Sequence, residues 1–414
     1  MKTWQKVLLG IISTGVIAFV GLVIYMFNIF KVLDRVELVN ENVKETIPFY
    51  YSPSRHMIVE VRINGSKEKY PFILDSGATT YVFKNMLDQQ DLPDIGNGFA
   101  IGAGGGMLFP DIHQIDQLML GNIEFKNVSA ESIEKLPISC TDDIYGILGK
   151  EAMQHLVWQI DFEKEEIQVV SELDQLAFEE AIDTIKLSEN PFGHQLYVTA
   201  KLGADSLKTR LTVDLGNSGY ASTNIKEVEK VKGRSIDMIG NASVGLDGEN
   251  KSKAMVQEIE NFQIGDIILP RFSVSASDTP MGLLGLGFLK NYKMTISWKD
   301  DALILEPYAQ QYFGRKGFGF GARYDEKANA LIIKSIYMGF AANKVGLLPG
   351  AKVISLNGAL MDTADKYCAF SFKGFEQLTM TFEQDGVEQT VVLDKMDYFP
   401  VEETETALLS DLND

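Results

Sequence analysis

The sequence predicts a mainly β protein with two homologous β-barrel lobes and a smaller third unit, which follow one N-terminal transmembrane helix. Three observations support this prediction. An internal repeat runs through most of the chain, apolar and polar residues alternate over short runs bounded by turn signals, and a long uncharged apolar stretch lies near the N-terminus. The 414 residues, of which 45% are hydrophobic, suffice for two or three domains with a sizeable core.

The N-terminal segment, residues 1–36, is predicted to anchor the chain in a membrane. An apolar run, residues 7–30, follows Lys2 and Lys6 and contains no charged residue. About 20 such residues span a bilayer as a helix, whereas a cleaved signal peptide, the alternative, usually has a shorter apolar region and a small-residue cleavage site. The flanking charges favour an N-terminus in the cytoplasm, which places the bulk of the chain in the periplasm or at the cell surface.

The composition excludes several classes of function. A net charge of −19 repels nucleic acid and anionic lipid surfaces, and no basic cluster offsets it. The four histidines are scattered without metal-binding spacing, so neither a metal site nor another cofactor is predicted. Cys140 and Cys368 lie far apart in sequence and are expected to be small buried residues rather than a disulfide framework.

Sequence blocks recur in the two halves of the chain. A strand, hairpin and strand pattern ends at Asp75, and the same pattern ends at Asp214. Two further pairs of segments match at a nearly constant shift, residues 118–123 with 262–267 and residues 146–169 with 282–305. Such a repeat indicates two copies of one fold, and short strands with regular turns predict that each copy is a small, partly closed barrel.

The repeat also sets the expected domain boundaries. They give a polar linker at 37–54, lobe 1 at 55–172, an inter-lobe linker at 173–189, lobe 2 at 190–310, a third unit at 312–400 and an acidic tail at 401–414. The tail is expected to be disordered because it is acidic.

Each lobe carries an aspartate at the end of an apolar strand. The letters are F-I-L-D-S-G around Asp75 and L-T-V-D-L-G around Asp214, and each lobe later has two apolar residues and a glycine, at 147–149 and 283–285. A lone D-S-G is a common turn, but the set occurs at equivalent positions of a repeat. The set resembles the active-site turns of the retropepsin/pepsin-like aspartic peptidases, and the resemblance covers both lobes.

This resemblance implies an aspartic endopeptidase whose catalytic pair is Asp75 and Asp214. Two carboxylates in contact share one proton, so that the ionised one deprotonates a water while the protonated one polarises the scissile carbonyl. The implied substrate is a peptide or protein, and no cofactor is needed. Leu215 departs from the family because serine or threonine is expected there, and its hydroxyl would brace the two turns. The remaining candidate residues of the active-site turns are Ser76, Gly77, Thr79, Gly216 and Ser218.

A glycine-rich stretch downstream of Asp75 is expected to be a flap. In the resembled families a hairpin closes over the substrate at this place, and the matching stretch of lobe 2 is residues 244–248. The alternative is a flexible loop without a catalytic part. The candidate flap residues are Gly102, Gly104, Gly105 and Gly106.

Residues 312–400 resemble a bacterial-type PDZ domain. The stretches 346–350 and 353–358 carry the more specific part of the resemblance. It implies a peptide ligand whose C-terminal carboxylate is held by a loop and whose backbone pairs with the next strand, or else a domain that only buttresses the protease. The loop residues are Gly317, Phe318, Gly319 and Phe320.

Two other functions are compatible with the sequence. Residues 216–219 look like the nucleophile loop of trypsin-like serine proteases, some of which carry PDZ domains, and Ser218 would then need His113 or His194 as its base. Alternatively, the two lobes form a peptide-binding scaffold without catalysis, with a degenerate second lobe. Substitution of Asp75 discriminates, because a binder keeps its affinity whereas a protease loses turnover.

Overall fold

Local sequence explains the many short strands. Short runs rich in β-branched and aromatic residues, which favour strands, are separated by turns that contain Gly and Asn. The computed structural model describes residues 12–400 except positions 18, 22, 24, 26–28, 30, 103–104, 179–183, 191–194 and 242. The predicted acidic tail, 401–414, lies outside the described residues. The described part of the chain is mainly β, as predicted.

The predicted anchor lies largely outside the described residues. Within the described part of the chain, no helix combines the length and the apolar character that a bilayer crossing requires. Helical residues are described at 12–17, 19–21, 23, 25, 29 and 31–33. Ile29 and Leu33 are buried against Ile112 of lobe 1.

The strands fall into three consecutive groups. The first contains β1 (Glu37–Leu38), β2 (Lys44–Pro48), β3 (Tyr50–Tyr51), β4 (Met57–Ile63), β5 (Tyr70–Leu74), β6 (Tyr81–Phe83), β7 (Asp94–Asn97), β8 (Ala100–Ile101), β9 (Met107–Leu108), β10 (Asp111–Leu120), β11 (Ile123–Ile133), β12 (Gly146–Leu148), β13 (Val157–Asp161) and β14 (Glu166–Val170). The second contains β15 (Thr184–Lys186), β16 (Ser188–Glu189), β17 (Leu196–Leu202), β18 (Leu207–Val213), β19 (Ala221–Asn224), β20 (Ser235–Gly240), β21 (Ser243–Gly245), β22 (Gly248–Asn250), β23 (Ala254–Ile264), β24 (Ile267–Ser277), β25 (Gly282–Leu284), β26 (Tyr292–Ser297) and β27 (Ala302–Pro307). The third contains β28 (Lys316–Gly317), β29 (Phe320–Asp325), β30 (Ala330–Tyr337), β31 (Lys352–Leu356), β32 (Ala359–Leu360), β33 (Gln377–Gln384), β34 (Val387–Asp394) and β35 (Met396–Asp397).

The remaining helices are short and connect strands. They are α1 (Lys84–Leu87), α2 (Lys150–Met153), α3 (Ile225–Val228), α4 (Leu286–Leu289), α5 (Ala341–Lys344), α6 (Ala364–Ala369) and one 3-10 helix (Leu173–Gln175).

Each lobe is a closed barrel of six strands. In lobe 1 the hydrogen-bonded ring runs β4-β5-β12-β6-β11-β10 and closes between β10 and β4. In lobe 2 the ring runs β17-β18-β25-β19-β24-β23 and closes between β23 and β17. The two rings have the same order of repeat-equivalent strands, so the prediction of two homologous β-barrel lobes is confirmed, and full closure leaves no open edge within either ring.

A six-stranded sheet, of order β15-β27-β26-β13-β14-β2, joins the two lobes. Its centre is the antiparallel pairing of β13 with β26, in which Trp158 lies opposite Ile296 and both are buried. The stretch expected to be a polar linker before lobe 1 supplies β2, which pairs with β14. One apolar core therefore extends through both lobes and this sheet.

The C-terminal unit, residues 312–400, has its own apolar core and is joined to both lobes. Its strand β30 pairs with β20 of lobe 2, with Ile336 opposite Ile239.

The expectation for the cysteines is wrong, because Cys140 of lobe 1 and Cys368 of α6 form a disulfide. Their sequence separation of 228 gave no hint of this pairing, but the C-terminal unit folds back onto lobe 1 and brings the two Cα atoms within 5.5 Å, a distance that a disulfide spans.

Candidate active site

The two predicted catalytic aspartates occupy equivalent places in the two barrels. Asp75 follows β5 and its backbone N–H donates to the Leu148 carbonyl at 3.1 Å, while Asp214 follows β18 and donates to the Leu284 carbonyl at 3.0 Å. In each lobe the acceptor belongs to a strand, β12 or β25, that runs parallel to the aspartate's strand. Each apolar-apolar-glycine segment predicted from the sequence therefore fixes the backbone of one aspartate.

The structure brings the two carboxyl groups into contact. Their side chains are hydrogen-bonded to each other, and both residues are partly buried. Each turn's glycine lies against the aspartate of the other lobe, because a Cβ atom on Gly216 would lie 2.1 Å from Asp75 Oδ2 and one on Gly77 would lie 3.0 Å from Asp214 Cγ. Any side chain larger than hydrogen at Gly216 would push the aspartates apart.

The environments of the two carboxyl groups differ. Burial, together with the neighbouring Asp75 charge, raises the pKa of Asp214 well above its ordinary value. Burial also raises the pKa of Asp75, but backbone N–H groups of Gly77, Gly216 and Ala78 donate to its carboxylate and oppose the rise. The pair is therefore expected to share one proton, because two carboxyl groups in contact do not both ionise readily.

One side chain braces the two turns. The hydroxyl of Ser76 donates to the Val213 carbonyl at 2.7 Å and accepts from the Leu215 backbone N–H at 3.2 Å. Ser76 thus crosses from lobe 1 to the strand end that carries Asp214. Leu215 has no hydroxyl to return this interaction and is instead fully buried in the apolar core.

Two buried glutamates, which the sequence reasoning missed, support the turn of lobe 1 from behind. Thr79 donates to Glu131 Oε2 at 2.8 Å. The backbone N–H of Thr80 donates to Glu151 at 2.8 Å, and Glu151 also pairs with Lys150 at 3.0 Å. Burial raises the pKa of Glu131. The sequence contained one indication of these residues. Lys150 and Glu151 directly follow the 147–149 segment, whereas the equivalent positions of lobe 2 are the uncharged Leu286 and Gly287.

Residues 59–152 match the family model described as aspartyl protease. The match contains the Asp75 turn, the glycine-rich stretch and the 147–149 triplet. Together with the two six-stranded barrels it supports a pepsin-like aspartyl protease fold. No curated protein matches the sequence.

Neither the family match nor the described histidines support the alternative of a serine protease that uses Ser218. Ser218 lies in the turn of lobe 2 that carries Asp214, as the counterpart of Thr79. Among the described histidines, His56 contacts Ser54 and His113 contacts the Leu92 carbonyl, and neither is hydrogen-bonded to Ser218. His194 lies outside the described residues.

Two hairpins reach across from the lobes and meet. In lobe 1, β8 and β9 form a hairpin whose tip contains Gly102, Gly105 and Gly106, whereas Gly104 lies outside the described residues. In lobe 2, β21 and β22 form the matching hairpin. The tips touch, because the Gly106 backbone N–H donates to Asp247 Oδ2 at 2.8 Å.

The tip of the second hairpin also reaches lobe 1. Leu246 packs against an apolar cluster of lobe 1 that Ala78, in the Asp75 turn, borders as well. The second hairpin of lobe 2 thus extends to the vicinity of the Asp75 turn of lobe 1.

The predicted peptide loop of the C-terminal unit, Gly317–Phe320, spans β28 and the start of β29. Gly319 has φ +84°, and a Cβ atom there would lie 2.0 Å from Phe340 Cβ, so glycine is required. The edge of β29, with which a peptide backbone would pair, already carries other contacts. Tyr367 donates to the Ala322 carbonyl at 3.1 Å, and Ser139 of lobe 1 contacts Tyr324.

Proposed function

We propose that the chain is a membrane-anchored aspartic endopeptidase that hydrolyses a peptide bond with a water activated between Asp75 and Asp214. The observation that carries this proposal is the mutual contact of two partly buried carboxyl groups, each at the end of a repeat-equivalent strand. The aspartyl protease match over residues 59–152 supports the same class of reaction.

The asymmetry of the pair assigns a role to each carboxyl group. Ionised Asp75, stabilised by three backbone N–H donors, accepts a proton from the attacking water. Protonated Asp214 donates a hydrogen bond and then its proton to the scissile carbonyl oxygen, which gives a neutral tetrahedral diol. When the diol collapses, Asp75 passes its proton to the leaving amine and Asp214 recovers one from a hydroxyl group, so that the starting state is restored.

Three further assignments belong to this proposal. The hairpins β8–β9 and β21–β22 act as flaps over an extended peptide or protein substrate. The uncharged run at 7–30 anchors the chain with its bulk outside the cytoplasm, and the Cys140–Cys368 disulfide fits an oxidising compartment. The C-terminal unit is a PDZ-like module, and a C-terminal peptide at Gly317–Phe320 would have to displace contacts that the edge of β29 now makes.

Substitution of each aspartate tests the proposal. Asp75→Asn and Asp214→Asn keep size and hydrogen bonding but remove the titrating group, so each is expected to reduce cleavage of an unbiased peptide mixture by roughly 10³-fold or more. The double variant should be no worse than either single one, because the two groups act as a unit.

The matched control is Asp88→Asn, an exposed aspartate of lobe 1, which should cleave like the wild type. Cleavage that survives in Asp214→Asn would remove lobe 2 from the mechanism. Retained peptide binding without any turnover in the wild type would instead favour the non-catalytic scaffold.

A further inference from the structure

A segment of lobe 1 occupies the outer edge of β29 in the C-terminal unit. The Ser139 hydroxyl accepts from the Tyr324 backbone N–H at 3.1 Å and donates to the Tyr324 carbonyl at 3.3 Å. Next to it, Arg323 donates to the Pro137 carbonyl at 2.9 Å. One residue of β29 thus has both backbone groups satisfied by lobe 1, as a neighbouring strand would satisfy them.

A covalent bond fixes this segment in place. Cys140, directly after Ser139, is bonded to Cys368 in α6. The preceding residue of α6, Tyr367, donates to the Ala322 carbonyl of β29. The segment 137–140 is therefore held both at the strand and at the helix that flanks it.

The same C-terminal unit holds the second flap hairpin. Glu249 of β22 forms ion pairs with Arg323 and with Lys334, the latter at 3.3 Å. At the base of the hairpin, the Asn241 backbone N–H donates to the Lys334 carbonyl at 2.8 Å and continues the pairing of β20 with β30. Arg323 therefore joins lobe 1, the C-terminal unit and the hairpin at one point.

The hairpin needs such support. Its own ladder consists of the pairs Ser243–Asn250, Val244–Glu249 and Gly245–Gly248, and an isolated two-stranded hairpin is at best marginally stable in water. Its tip nevertheless crosses to lobe 1, where Asp247 accepts from Gly106 and Leu246 packs on the apolar cluster beside Ala78. The position of this hairpin is therefore maintained by its tip contacts with lobe 1 together with the ion pairs and hydrogen bond to the C-terminal unit.

We propose that the C-terminal unit is a latch that holds the hairpin β21–β22 closed over the cleft, and that the Cys140–Cys368 disulfide sets this latch. The edge of β29 is the docking surface, and its occupant is the segment 137–140 of the same chain. Reduction by a dithiol breaks the S–S bond and forms two thiols, and the dithiol supplies two electrons and two protons as it closes to its own disulfide. The segment is then free to leave β29. Arg323, which donates to the Pro137 carbonyl and pairs with Glu249, loses one of the contacts that position it, so the hairpin is held less firmly and opens more often to admit substrate.

Hydrogen exchange of the full chain tests the latch directly. Glu249→Gln removes the ion pairs but keeps the disulfide, and Cys140→Ser with Cys368→Ser removes the disulfide but keeps the ion pairs. Both should accelerate amide exchange in residues 243–250 by roughly fivefold, as expected for the loss of an interaction of about 1 kcal/mol. Glu388→Gln, an exposed glutamate of β34, is the matched control and should change nothing. Unchanged exchange in β12 verifies that the variants remain folded.

Peptide cleavage gives the second readout, and this part rests on the proposed function. The latch variants, and the wild type after dithiothreitol, should cleave peptides with a kcat/KM about fivefold higher, whereas Asp75→Asn in the same background should stay inactive. Unchanged exchange at 243–250 would overturn the latch, and so would faster exchange with equal or slower cleavage. If neither wild type nor variants cleave peptides, the proposed function fails, while the exchange measurement still decides whether the hairpin is latched.

The freed edge of β29 provides an independent check. A peptide with a free C-terminal carboxylate should bind the reduced chain better than the oxidised one. In the reduced chain the Ser139 hydroxyl no longer bonds the backbone N–H and carbonyl of Tyr324, which are then available to the peptide. Equal binding to both forms would contradict the release of segment 137–140 from β29 on reduction.

Discussion

At the scale of single residues, Asp75 and Asp214 are chemically distinct although their sequence contexts are nearly alike. Both are partly buried, and burial raises the pKa of each. Backbone N–H groups oppose this rise at both residues, whereas the charge of Asp75 raises the pKa of Asp214 further. Neither burial nor the direction of an N–H group can be read from the letters D-S-G and D-L-G, so these influences on the two pKa values are visible only in the structure.

The raised pKa of Asp214 predicts a specific pH dependence. The folded state binds its proton at pH values where the unfolded chain, with an ordinary pKa near 3.8, has lost it. This contribution to the free energy of unfolding is fully present below the unfolded pKa and is lost as pH rises through the folded pKa. A pKa difference of one between the two states corresponds to about 1.4 kcal/mol.

We therefore expect the wild type to lose stability relative to Asp214→Asn as pH rises above about 4, because asparagine stays neutral throughout. Urea unfolding of both proteins across the pH range measures the difference, and parallel curves would contradict the assignment. Over the same range the rate of cleavage should be bell-shaped, since activity needs Asp75 ionised and Asp214 protonated.

At the scale of elements, the two active-site turns are braced from one side only. Ser76 reaches Val213 and Leu215, while the turn of lobe 1 is backed by Glu151 through Thr80. The sequence shows that residue 215 is a leucine and lacks the hydroxyl expected there, and in the structure this leucine is buried in the apolar core. The sequence did not predict the buried glutamates, because a charged residue after a strand is usually assigned to the surface.

Restoring the second hydroxyl tests the brace. Leu215→Thr and Leu215→Val have nearly the same shape and differ only in that hydroxyl, so both lose similar apolar burial. If the threonine hydroxyl completes the brace, its variant should have a free energy of unfolding about 1 kcal/mol higher than the valine variant and should keep wild-type cleavage or exceed it. A threonine variant less stable than the valine variant would mean that the hydroxyl is buried without a partner.

At the scale of the whole molecule, three units are connected more tightly than their order in the sequence suggests. The six-stranded sheet joins the lobes, the pairing of β20 with β30 joins lobe 2 to the C-terminal unit, and the disulfide returns from that unit to lobe 1. Relative motion of the units is restricted by this closed path. In the proposed function, access of substrate therefore depends on movement of the hairpins β8–β9 and β21–β22.

The anchor prediction belongs to this scale. The full-length chain should fractionate with membranes, and deletion of residues 1–28 should release it, because the uncharged run is lost while Ile29 and Leu33 keep their contacts with lobe 1. Ultracentrifugation of both forms, with peptide cleavage as a control for folding, measures the outcome. A soluble full-length product that starts near Lys31 would identify a cleaved signal peptide instead.

The sequence by itself determined the features that depend on neighbouring letters and on repetition. Strand periodicity and the internal repeat predicted two barrels, and the equivalent positions of Asp75 and Asp214 within the repeat predicted that the two residues meet. Leu215 was recognised as the departure from symmetry by the same comparison. These inferences succeeded because each lobe is built mainly from contacts within one repeated unit, whose pattern is visible twice.

Only the tertiary structure decided how the units contact each other. The Cys140–Cys368 disulfide, the ion pairs of Glu249 and the docking of Ser139 on β29 join residues far apart in the chain. Such contacts depend on where the C-terminal unit lies against the two lobes, and that placement is fixed by surface complementarity rather than by any periodic pattern. The raised pKa of Asp214 has the same origin, because burial and the approach of a second charge exist only after the lobes have come together.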